Sequence, residues 1–187
     1  MNTLRTSKYA ALFCVLVASL VWAQAPDSKQ AVPGAIPAVA GATNFQRLDV
    51  NFASGGATTA DAFAALQKLG FRTVINLRTA SEPGADLEGE AKALSQTGLK
   101  YFSLPFSPSA PDVAAVDKFL EVVKDSSSQP VYIHCASGQR ANAFWLIKRV
   151  AVDGWTTEKA LAEADTLKMT NQRLRDFALA YLKDHEK

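Results

Sequence analysis

Cysteine and histidine are almost missing from this 187-residue chain, which holds only Cys14, Cys135, His134 and His185. Cys14 lies in an N-terminal stretch patterned like a signal peptide, so Cys135 alone is expected after cleavage, with no structural disulfide. A charge excess is missing too. Twenty Lys and Arg face 18 Asp and Glu, a formal charge of +2. Loss of Arg5 and Lys8 with residues 1–23 leaves about zero. With no basic stripe, nucleic acid is not an expected partner. There is also no apolar run of membrane-spanning length. Ala10 to Trp22 is too short and reads as the h-region behind a positive n-region, with Val21-Trp22-Ala23 resembling a cleavage site. Leu12-Phe13 ahead of Cys14 does not form a lipoprotein signal. A bacterial export signal over 1–23 is therefore expected, giving a periplasmic or secreted protein without a stable membrane anchor. Internal repeats are absent.

The rest of the chain reads as a linker and one domain. Residues 24–42 are rich in Ala, Pro and Gly without apolar periodicity and read as flexible. Residues 43–187 suffice for a single core. Strand signals at Phe45–Val50, Thr73–Leu77, Lys100–Leu104 and Val131–His134 alternate with helical ones, and Ser54-Gly55-Gly56 reads as a turn. A helix capped at Thr58 or Thr59 carries Phe63, Leu66 and Leu69 and stops at Gly70. Further helices are expected near Glu88–Gln96, over Val113–Val123, after Thr156-Thr157, and over Leu174–Leu182. The last shows the i, i+3, i+4, i+7, i+8 spacing of an amphipathic helix. The fold class is α/β: a central, mostly parallel sheet of four to five strands flanked by helices.

The chemistry concentrates in His134-Cys135-Ala136-Ser137-Gly138-Gln139-Arg140. The loop follows the strand-like Val131-Tyr132-Ile133 and leads into the helical run Phe144-Trp145-Leu146-Ile147. A cysteine at such a turn faces the N–H groups that open the helix, which favour a thiolate. Arg140 can offer two parallel N–H donors to an oxyanion. Gly138 suits the positive-φ turn that points amides into one concavity. A nucleophile and an oxyanion cradle in one short loop suit phosphoryl or sulfur transfer. The alternative is a buried core cysteine.

Four stretches carry a family resemblance: Phe52-Ala53-Ser54-Gly55-Gly56, Gly70 to Arg78, His134 to Arg140, and Gly154 to Leu161. Together they make residues 45–182 similar to bacterial phosphatase-like domains related to dual-specificity tyrosine phosphatases, closest to the beta-lactamase-hydrolase-like group. The resemblance implies a cysteine loop between the last strand and a helix. It implies Cys135 attacking phosphorus to give a thiophosphate intermediate. Arg140 and the amides of Ala136, Ser137, Gly138 and Gln139 would hold the oxyanion. His134 would position the thiolate, and neither metal nor cofactor would be needed. The expected partner is a phosphorylated protein or small molecule.

Two departures stand out. Four residues separate Cys135 from Arg140, where tyrosine phosphatases commonly have five; four is the rhodanese count. Ala141 stands where a hydroxyl residue commonly assists release of the sulfur, a role Ser137 could take. A rhodanese-like sulfurtransferase with a Cys135 persulfide is thus one rival, although no Gly-His-Ile-type segment follows Asn76-Leu77-Arg78. A non-catalytic module binding an anion or phosphopeptide is another. Asp112 is the candidate general acid, yet Ser109 and Asp112 also have the spacing of a helix capping box. Glu82 and Asp86 stand in reserve. Arg78 reads as a substrate contact or as a surface ion pair.

Overall fold

The computed structural model describes residues 38–185. The expected signal peptide and residues 24–37 of the expected linker lie outside them. Strands β1 (Gln46–Asp49), β2 (Phe52–Gly55), β3 (Thr73–Asn76), β4 (Lys100–Ser103) and β5 (Val131–His134) form one sheet in the order β1-β2-β5-β3-β4. Only the β1–β2 pair is antiparallel. The helices are α1 (Ala60–Lys68), α2 (Leu87–Ser95), α3 (Val113–Lys124), α4 (Gln139–Ala151), α5 (Thr157–Thr166) and α6 (Gln172–Asp184). The α/β class and the mostly parallel sheet expected from the sequence are both present.

β5 lies at the centre, and all four of its residues are buried, as a parallel strand covered on both faces requires. Side chains alternate across it. Val131, Ile133 and Cys135 enter the larger core with residues of α3, α4 and α6. Tyr132 enters the smaller one with Phe63 and Leu66 of α1. Helix α4 is buried without interruption from Arg140 to Arg149, because helices α3, α5 and α6 and the sheet enclose it. The charges at its far end are neutralised internally. Arg149, 1% exposed, donates Nε to Glu163 Oε2 and Nη2 to Glu163 Oε1, both at 2.9 Å, and Nη1 to Asp153 at 3.1 Å. Its guanidinium also lies 4.1 Å and 4.0 Å from the ring centroids of Trp145 and Trp155.

Three local expectations are corrected. Ser54-Gly55 is strand, not turn: the hairpin turns at Val50–Asn51, where Asp49 Oδ1 accepts the Asn51 N–H at 2.8 Å. Gly55 is tolerated in the strand because a Cβ there would collide with the Tyr132 hydroxyl. Leu69 is 44% exposed, since as the C-cap of α1 it has left the apolar face. Residues 38–42, read as the end of a linker, belong to the domain. Val39 and Ala42 pack against the smaller core, and the Thr59 N–H donates to Gly41 O at 2.8 Å.

Candidate active site

Gly55, His134 and Asn76 lie in register, so β2, β5 and β3 end side by side. The loop 135–138 leaves from the middle of that edge, where open α/β sheets hold their ligands. Its carbonyls are pinned outward. Ala57 N–H donates to Ala136 O at 2.9 Å, and Asn44 Nδ2 donates to Ser137 O at 3.2 Å. In a trans peptide the following N–H points the opposite way, so the amides of Ser137 and Gly138 turn into the concavity. Gly138 N–H reaches Cys135 Sγ at 3.1 Å. Gly138 holds φ 92° as the N-cap of α4, a conformation that side chains resist. Gly56 permits the close approach of β2: a Cβ there would meet Ala136 O at 3.0 Å.

Arg140 is fixed by the loop after β3. Nη1 donates to Glu82 Oε1 at 2.6 Å and Nη2 to Glu82 Oε2 at 2.7 Å. Nη1 also donates to Leu77 O at 3.0 Å and Phe106 O at 2.8 Å. The guanidinium also hydrogen-bonds Cys135, and the edge that Glu82 leaves, Nε–H with the second Nη2 proton, has the geometry that takes an oxyanion. Burial lowers the pKa of Arg140, but its hydrogen bond to Glu82 and the nearby Cys135 charge outweigh this and raise it. Burial would likewise raise Glu82. Hydrogen bonds from Arg140 and the Thr79 N–H, with the charges of Arg140 and Arg78, instead hold it at about 2. Glu82 is thus a carboxylate at neutral pH and no proton donor.

The cavity above the loop measures about 360 Å³, with Ser81, Glu82, Ser107, Ser137, Arg140 and Asn171 in its wall. Cys135 is 1% exposed and is not itself part of that lining. Ser137 and Gln139 also line the cavity, and Gly138 presents its amide to the sulfur. Ala136 contributes its pinned carbonyl. The side chain of Gln139 turns away from the sulfur. Nε2 donates to Lys168 O at 2.8 Å, and Oε1 accepts the N–H groups of Thr170 at 2.8 Å and Asn171 at 3.0 Å.

Three residues expected at the site hold hydrogen bonds within the fold. Asp112 is itself the N-cap of α3, accepting the Ala114 N–H at 2.9 Å, and it is not part of the cavity wall. The cap is therefore Asp112 and not Ser109. Arg78 donates to Pro83 O at 2.6 Å and Gly84 O at 2.9 Å, shaping the loop that presents Glu82. The His134 side chain is fully buried. Its Nε2 lies 3.0 Å from Glu90 Oε1, while Asn76 Nδ2 donates to Glu90 Oε2 at 2.8 Å. One position before Cys135, it points to the opposite face of the sheet. Asp86, the second reserve acid, caps α2 through the Gly89 N–H at 2.9 Å. Sequence reading did not find the Glu82 clamp, which joins residues 58 positions apart.

A mostly parallel sheet with a cysteine loop at its centre and an arginine beside the sulfur defines a tyrosine-phosphatase type of domain. The family described as DSP-PTPase phosphatase fused to NAD+ kinase matches residues 36–179, and the chain belongs to it. The resemblance to dual-specificity-phosphatase-related domains is thereby borne out. The rice (Oryza sativa subsp. japonica) protein named "Probable NAD kinase 2, chloroplastic" is 30% identical over 93 residues, which are 49% of this chain and 10% of that one. The chain thus matches about a tenth of that relative's length. Among solved structures, a phosphatase-like DUF442 protein of Shewanella putrefaciens CN-32 superposes with a TM-score of 0.66 at 20% identity, over 82% of this chain and 100% of the other. The core catalytic domain of the PP-IP phosphatase Siw14 of S. cerevisiae gives 0.64 at 19%, over 79% and 91%. These likenesses concern the fold.

Proposed function

We propose that the chain is an exported, cysteine-dependent phosphatase acting on a phosphomonoester or phosphoanhydride. Cys135 thiolate attacks phosphorus: the S–P bond forms, and the P–O bond to the leaving group breaks with its electron pair on oxygen. Water then attacks the thiophosphate, its oxygen bonding to phosphorus while the S–P electrons return to Cys135. Inorganic phosphate leaves, and one water proton passes to solvent. The edge of Arg140 that Glu82 leaves, with the amides of Ser137 and Gly138, holds the equatorial oxygens as charge develops. The observation that carries this reading is the Gly138 N–H aimed at Cys135 Sγ from 3.1 Å at the mouth of α4.

The carboxyl in the cavity wall is Glu82, already ionised and bound to Arg140. The chemistry therefore suits leaving groups stable as anions, such as a phenolate or a phosphate. Hydrolysis of p-nitrophenyl phosphate by the reduced protein, lost in Cys135→Ser, supports the reading; equal rates in both proteins overturn it. The four-residue Cys-to-Arg spacing favours one second reading, sulfur transfer through a Cys135 persulfide. Thiocyanate formed from thiosulfate and cyanide, without phosphate release, would establish that reading instead. Export is tested by fractionating cells that express the full chain: recovery in the cytoplasm with residues 1–23 retained overturns it.

A further inference from the structure

A second cavity of about 330 Å³ adjoins the first, sharing Ser137 and Gln139 with it. Its wall comprises Asn44, Phe45, Gln46, Ser137, Gly138, Gln139, Asn142, Leu167 and Lys168. One of these side chains is a cation and none is a carboxylate, so the lining complements an anion. Lys168 is exposed, and no ion pair engages it among the described residues. The second cavity thus supplies the charge that the first, with Arg140 matched by Glu82, does not offer in excess.

The backbone singles out the same residue. Asn44 at φ 50° and Lys168 at φ 55° are the non-glycine residues with positive φ among those described, and both line this cavity. Asn tolerates that conformation; Lys does so at a cost. Lys168 follows the C-cap of α5, where Met169 N–H returns to Ala164 O at 2.9 Å and Lys168 N–H to Asp165 O at 3.0 Å. Helix α1 ends in the same motif: Phe71 N–H returns to Leu66 O at 3.1 Å and Gly70 N–H to Gln67 O at 2.9 Å. There the strained position is Gly70, φ 86°, the residue the motif prefers. At α5 the chain accepts a strained lysine instead. Gln139 ties the Lys168 carbonyl and the Thr170 N–H to the cysteine loop, which fixes the backbone of this segment beside that loop.

We infer that this second cavity is a subsite for another anionic group of the substrate, read by Lys168, so that the preferred substrate carries two neighbouring phosphoryl groups. The inference rests on the phosphatase reading and narrows it to a substrate class.

The test uses the full chain as Cys135→Ser, which binds without turnover, titrated calorimetrically with orthophosphate, pyrophosphate and tripolyphosphate at fixed ionic strength. Affinity should rise at least about tenfold from orthophosphate to the longer anions, the effect of one charged hydrogen bond. Adding Lys168→Gly, which suits the backbone, should remove that rise and leave orthophosphate within about twofold. Adding Lys92→Ala, at an exposed site on α2, should change nothing. Equal affinity for the three anions, or a rise that survives Lys168→Gly, overturns the subsite. The two readings can fail separately: native protein that hydrolyses p-nitrophenyl phosphate while Cys135→Ser shows no preference loses only the subsite. Neither hydrolysis nor binding of any of the anions overturns both.

Discussion

Glu82 and Arg140 meet edge to edge, Oε1 to Nη1 at 2.6 Å and Oε2 to Nη2 at 2.7 Å. The carboxylate takes one edge of the guanidinium and leaves the other facing the cavity. It aims the arginine without competing for the donors an oxyanion needs.

The pH dependence of stability should report this pair. The folded-state pKa of Glu82 is about 2 against an ordinary 4.5, so its contribution is complete above pH 4.5. It is lost as pH falls through that value toward 2. Melting temperature followed from pH 6 to pH 2 should therefore fall less steeply in Glu82→Gln than in the native chain. Parallel curves would show that the pair does not couple to folding.

Asp112 caps α3 and lies outside the lining of the cavity. Asp112→Ala should cost about 0.5–2 kcal/mol of stability, the worth of an N-cap. The kcat on p-nitrophenyl phosphate should stay within about twofold of native. A fall of a hundredfold or more with the melting temperature unchanged would return Asp112 to the site as a proton donor.

Gly138→Ala places a Cβ at φ 92°. The left-handed conformation costs about 1–2 kcal/mol, and relaxation of the loop would move the amide that faces Cys135. Both stability and orthophosphate binding should drop, which thermal melts with and without the anion would read.

Lys168→Gly should raise stability by about 0.5–1 kcal/mol, because strain at φ 55° exceeds the added freedom of the unfolded chain. Chemical denaturation measures it directly. Destabilisation would mean that the lysine is kept for its packing.

Arg149→Ala takes from Glu163 its ion-pair partner among the described residues and leaves Asp153 and Asp49 to Lys148. Removing one member of a buried charge network costs about 3–5 kcal/mol. The variant should unfold tens of degrees early or accumulate insoluble, while Arg149→Lys should recover part of the loss.

Where signals were local, the sequence was a sufficient guide. The strand–loop–helix around Cys135 and the stripe over Leu174–Leu182 need only neighbours in the chain, and both formed as expected. The β2 strand escaped notice because Gly55 breaks strand composition, and its reason lies in Tyr132, 77 positions away. Glu82 looked like a spare proton donor because nothing near it in sequence reveals Arg140. Asp112 and Ser109 offered two starts for α3, and only the backbone beside Ala114 decides between them. Roles that depend on long-range partners were the ones left open.

The alternation of β5 makes the chemistry a matter of parity. Tyr132 and His134 fall on one side of the sheet and Ile133 and Cys135 on the other. An odd-numbered insertion or deletion within this strand would exchange thiol and imidazole between two unlike interiors, whereas an even-numbered one would keep the sulfur on its own side. Odd-numbered length variation should therefore be absent, in such domains, from the four residues ahead of the nucleophile.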